Sequence, residues 1–223
     1  LDQRPQPNIS AVPHSLQTFL HHNAILIQQF HDQYGITEFD PLARRCEHWM
    51  WEHAMKNFDM SAQFEAVSVE QQPYQNLTVM TAGHYAQYLL QKEDASREEI
   101  AAARDLLRFM EDQFVHWAFL PDEDGLHFCL APGVYEQYAC RSVIDASNDC
   151  FAEAALSYYE KTGDELMLQK AQALMNTVVN SQAGNGEIAT SMRLLYRYGG
   201  LDFWINCSVH SIVALLRFAE DRK

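Results

Sequence analysis

The chain has 223 residues, 48% hydrophobic and 12% aromatic, which suits a single domain over 1–223 with a sizeable core. Its 30 acids against 16 bases give a formal net charge of −14, which excludes a nucleic-acid partner, since that needs a basic stripe, and disfavours an anionic membrane surface. No run approaches the roughly 18 apolar residues of a membrane helix, and "LDQRPQPNIS" lacks the basic start and apolar middle of a secretory leader. Compartment stays open between cytoplasm, periplasm and secretion.

Helical periodicity then runs along the chain. From Ser15 to about His31, Leu16, Phe19, Leu20, Ile27 and Phe30 share a face. "DPLARRCEHWMWEHAMKNF" follows, with Asp40 as the expected cap and Pro41 at the first helical position. After a Pro-containing linker come "YQNLTVMTAGHYAQYLLQK" and "ASREEIAAARDLLRFMEDQF", the latter with a capping box of Ser96 and Glu99. "SNDCFAEAALSYYEKT" and "DELMLQKAQALMNTVVNSQ" flank Gly163, and "NCSVHSIVALLRFAEDR" is a seventh helix. No run of period two stands out between them, so the expected class is all-α without a sheet.

The helices pair, and the pairs repeat. At an offset of about 68 residues, Ala103 falls over Ala171, Leu106 over Leu174 and Met110 over Val178. The long loops "VHWAFLPDEDGLHFCLAPGVYEQYACRSVID" and "AGNGEIATSMRLLYRYGGLDFWI" occupy equivalent places, so they should gather at one end. Loops this long fit a toroid of hairpins better than a short-looped solenoid. Five cysteines (Cys46, Cys129, Cys140, Cys150 and Cys207) without CxxC spacing argue for buried thiols and against a disulfide framework or structural zinc. In "CEHWMWEH", His48 and Glu52 are four apart and His53 lies about 100° further round, which is not a zinc helix; no metal ligands are assigned. Nor is there a phosphate loop or a GxSxG elbow, and no cofactor is expected.

"ARDLLRFMEDQFVHW", "PGVYEQYACRSVIDAS", "ALSYYEKTGDELMLQKAQAL" and "FWINCSVHSIVALLRFAED" together resemble the six-hairpin glycosidase-like, or (α/α)6-toroid, superfamily, over roughly 103–221. Unsaturated glucuronyl hydrolases, N-acylglucosamine epimerases and several glycosidases belong to it, and the likeness is greatest to a poorly characterised bacterial branch. The resemblance implies a (partial) α/α toroid, a carbohydrate substrate and glycoside hydrolysis by paired carboxylates. Seven helices against the twelve of a closed ring leave three arrangements: the C-terminal part of a longer ring, an open partial toroid, or a ring completed by homo-oligomers.

In such a toroid "YEQYACRSVIDASNDC" lies at the mouth of the ring. Asp145 and Ser147 stand where a helix starts, and either side chain suits a cap. Asp145, with Glu136 or Asp202, forms the candidate acid pair, and one of them needs a raised proton affinity. Tyr138, Arg141 and Asp149 are the polar surroundings that a plain cap does not explain. Trp204 suits a sugar platform with Asp202 on hydroxyls; the structural alternative is a staple of Phe203 and Trp204 before an Asn206 cap. His210, a core histidine on the bland reading, is a base if the enzyme epimerises sugars. Trp117 forms an aromatic wall or, with Asp122, Asp124 and Gly125, part of a turn, and Glu187 reads as a solvated loop acid. A non-catalytic helical binding or scaffolding protein is the alternative from another class, with Asp145 buried against its own helix amides.

Overall fold

The computed structural model describes residues 27, 30–56, 79–118, 130–137, 140–182 and 205–220, together with 184, 186, 188, 190 and 192. Helices are α1 (Asp40–Trp49), α2 (Val79–Gln91), α3 (Arg97–Phe114), α4 (Asp145–Thr162), α5 (Glu165–Asn180) and α6 (Ile205–Glu220). The described chain is mostly helical, as its periodicity predicts. Most of the expected helix from Ser15 to His31 lies outside the described residues.

Local chemistry sets the helix ends. Ser96 accepts from the Glu99 amide while Glu99 takes the Ser96 amide at 2.8 Å, so the expected capping box forms. Asp164 caps α5, accepting from the amides of Leu166 and Met167. Between α4 and α5 the chain reverses at Gly163, whose φ of 73° suits a residue without a Cβ, and its amide donates to Tyr159 O at 2.7 Å. One expected cap, and one cap given as an alternative, are corrected. Phe39, not Asp40, precedes α1; Asp40 lies in the first turn, and its carboxylate binds His31 Nδ1 at 2.9 Å. Asn206 lies inside α6, which begins at Ile205. From Met50 to Met55, α1 continues as a π-helix, an extra-residue turn that periodicity does not reveal.

Each buried face follows from the sequence pattern. On α3, Ala102, Ala103, Leu106, Leu107, Met110 and Phe114 point inward; on α5, Met167, Ala171, Leu174, Met175 and Val178 do. The residues aligned by the 68-residue offset are therefore equivalent core positions. Burying each large one contributes roughly 1.5–3 kcal/mol. α2 and α3 form one hairpin, α4 and α5 the next, and α2, α4 and α6 lie side by side with α4 in the middle. Enclosed by its neighbours, α4 is buried on nearly every side, from Asp145 to Tyr158. Where α2 crosses it, Gly83 permits the approach: a Cβ there would sit 2.3 Å from Cys150 Sγ and 2.7 Å from Met110 Cε. On α6, Ala214 and Phe218 are buried while Val209, Ile212, Val213 and Leu216 face outward.

A small sheet corrects the expectation of none. Strands β1 (Val115–His116), β2 (Gly133–Gln137) and β3 (Cys140–Val143) pair antiparallel in that order, with Val115 opposite Val134 and Tyr135 opposite Val143. They are too short for a period of two to emerge from the sequence. Gly133 is required where β1 and β2 meet, because a Cβ would lie 2.5 Å from His116 Nε2. The His116 ring stacks on Tyr135 with centroids 5.1 Å apart.

Candidate active site: a buried carboxyl pair

The described parts of the two long loops meet beside the start of α4. Asp145 N–H donates to Thr190 O, Met192 N–H to Val143 O and Leu130 N–H to Met192 O, each at 3.0 Å. These bonds stitch the loop after α5 to the strand that leads into α4. Asn148 fastens the same corner from inside: it accepts from the Val134 amide at 2.8 Å and donates to Leu174 O at 3.3 Å.

α4 begins two residues earlier than its sequence pattern suggests. Ile144 is the cap residue and offers no side-chain bond, so Asp145 opens the helix rather than capping it. Its Oδ1 accepts from the Ala146 amide at 2.8 Å. Ser147 Oγ, the other expected cap, is buried without a hydrogen-bond partner among the described residues.

Asp145, Asp149 and Glu153 recur every four residues along one face of α4, the face toward α6. Ser211 of α6 is fully buried between the first two: its hydroxyl donates to Asp149 Oδ2 at 2.6 Å and lies 3.4 Å from Asp145 Oδ2. Both carboxyl oxygens contact one hydroxyl, so they are no more than about 6 Å apart. Further along, Arg217 donates to Ser157 Oγ at 3.0 Å and to Glu160 at 2.7 Å. Ser211 and Glu153 were missed by sequence reasoning, although the Asp-Asp-Glu spacing and a serine within an apolar run were both visible signals.

Burial sets the electrostatics. It pushes Asp145 up to about 6, against the pull of bonds from Ala146, Ser211 and its own amide. It raises Asp149 well above the usual carboxylate range; the Ser211 hydroxyl pulls down, and the charges of Asp145 and Glu153 add to the rise. Glu153 is also raised by burial, tempered by Arg217 and His210. Burial thus favours the protonated form at both Asp145 and Asp149, and a raised proton affinity is what a general acid requires.

Only some of the other candidates lie among the described residues. Glu136 on β2 is buried, and β2 packs against α4. Trp117 is 43% exposed just after β1, its ring facing Lys170 Nζ at 5.9 Å. His210 is exposed on α6, beside Glu153, and is not the core histidine of the bland reading. Arg141 lies on β3, its side chain outside the described residues. Tyr138, Asp202 and Trp204 lie outside them altogether, as do Asp122, Asp124, Gly125 and Glu187. Cys46 and Cys150 are buried free thiols; Cys129 and the side chains of Cys140 and Cys207 are not among the described groups. Among the described residues, no group of three or more His, Cys, Asp or Glu could hold a metal ion, and no helix is long and apolar enough to cross a membrane. No protein-family model matches the chain, and no curated protein matches it either.

Proposed function

We propose that the chain is a carbohydrate-active, glycosidase-like hydrolase of the α/α-toroid kind, with Asp145 as its general acid. The observation that carries this reading is a buried aspartate whose proton affinity is raised to about 6, beside a second buried acid on the same hydroxyl. A carboxyl tuned in this way can protonate a leaving glycosidic oxygen near neutral pH. Asp149 cannot be the opposing carboxylate, because both acids project from the same face of one helix. A glycosidic bond has to be flanked from two sides, so the opposing group is Glu136 or Asp202. Asp149 and Ser211 are positioning residues that fix the proton affinity of Asp145.

A panel of oligosaccharides, including unsaturated glucuronides, assayed for new reducing ends tests the reading. Asp145→Asn should lower kcat/KM by roughly 10²–10⁴-fold. Ser211→Ala removes a bond that favours ionised Asp145, so the alkaline limb of its pH–rate profile should move upward. The complete burial of Asp145 and its bond to the Ala146 amide favour a second reading, a structural acid in a non-catalytic helical binding or scaffolding protein. On that reading no glycan is cleaved, and Asp145→Asn leaves glycan or partner binding intact.

A further inference from the structure

At the turn end of the first hairpin, residues of α1, the π segment, α2 and the α3 cap enclose a cleft of about 460 Å³. Trp51, Tyr85 and Leu89 form its apolar walls, and Glu47, Glu99 and Lys92 its polar ones. An adjoining space of about 910 Å³ is edged by Tyr88 and adds Asp32, Glu93 and Asp94. Lys92 meets both Glu47 and Glu99, and its ammonium stands 4.9 Å above the Tyr88 ring. Tyr85 and Tyr88 stack with centroids 6.2 Å apart. The walls thus already hold one ammonium through one aromatic face and two carboxylates, and apart from Arg44 at the rim and His48 the remaining charges are acidic.

One polar group in this wall is unsatisfied. Tyr85 is completely buried, and its hydroxyl has no hydrogen-bond partner among the described residues. It lies close enough to Glu47 and Glu99 for both charges to act on it. A buried hydroxyl left unbonded costs free energy, and a donor brought by a ligand would recover it. We propose that this cleft binds an organic ammonium ion of the alkylamine or diamine class, with its N–H groups on the Tyr85 hydroxyl and the Glu47 and Glu99 carboxylates and its alkyl chain along Trp51 and Leu89. The site is independent of the Asp145–Asp149 pair and of any hydrolytic activity.

The probe is 1,4-diaminobutane, titrated into the whole chain by calorimetry at constant ionic strength, with sodium chloride as the charge control. Saturable one-site binding is expected. Tyr85→Phe should weaken it roughly 3- to 10-fold, the worth of one hydrogen bond. The same variant without ligand should keep or raise its Tm, because it deletes an unsatisfied group. Binding that is absent, that salt alone abolishes, or that Tyr85→Phe leaves unchanged overturns the proposal. So does a fall in Tm of unliganded Tyr85→Phe, which would mean that the hydroxyl already has a partner.

Discussion

A carboxyl with no access to water titrates differently from one in the unfolded chain, and Asp145 makes that difference measurable. Unfolded, it loses its proton near pH 4; folded, burial holds the proton up to about pH 6. Between those values the folded state binds more protons, so stability falls as pH rises through this window and returns as pH is lowered. The group alone accounts for up to roughly 3 kcal/mol of that slope. Asp149 and Glu153, also raised, act in the same sense. Glu99 acts in the opposite one: burial pushes it up, but the bonds from Lys92 and Ser96 outweigh this and leave it lowered. Denaturation midpoints of Asp145→Asn measured from pH 4 to 7 should therefore show a flatter decline than the parent; an unchanged slope would exclude a raised Asp145. Asp145 was legible as a candidate, because a cap alone does not explain the polar and aromatic residues around it. Its partner was not: Ser211 is one residue from the more conspicuous His210, and nothing in α6 taken alone shows which of its sides faces α4.

Among the elements, those whose rules are local were readable in advance. The Ser96–Glu99 box, the Asp164 start and the Gly163 reversal need only neighbouring residues, and all three form. The sheet and the π segment were hidden, because strands of two, five and four residues carry no periodicity and a π turn differs from an α turn by one inserted residue. Contacts between elements were also beyond a sequence reading, and the α2–α4 crossing is the clearest case. Gly83 sits in a good helix-forming run, yet alanine there would meet Cys150 Sγ, Met110 Cε and, at 3.3 Å, the Cys150 carbonyl. Despite its better helix propensity, Gly83→Ala should destabilise by about 1–3 kcal/mol in urea denaturation. Adding Cys150→Ala should recover part of the loss by vacating the sulfur position; a double variant no better than the single one would place the strain elsewhere.

Over the whole molecule, stability should be graded around α4. It touches α2, α3, α5, α6 and β2, whereas α1 touches mainly its own π continuation. Hydrogen exchange followed by mass spectrometry should leave the amides between Phe151 and Leu156 protected longest. Those of α1 should exchange at least ~10-fold sooner. Equal protection in α1 would contradict this hierarchy. Helical content and paired hairpins were legible at this scale because they follow from spacing; the order in which hairpins lie beside one another depends on which faces match, and that is a property of the assembled surfaces.

The bonds that join Leu130, Val143 and Asp145 to Thr190 and Met192 span more than forty residues of chain. Each helical hairpin closes over a much shorter distance, so the hairpins can form early and the stitching only after both exist. In the unfolded chain Asp145 and Asp149 are two separate solvated acids with ordinary proton affinities. Burial raises both carboxyls, so closing this corner of the molecule favours their protonated forms.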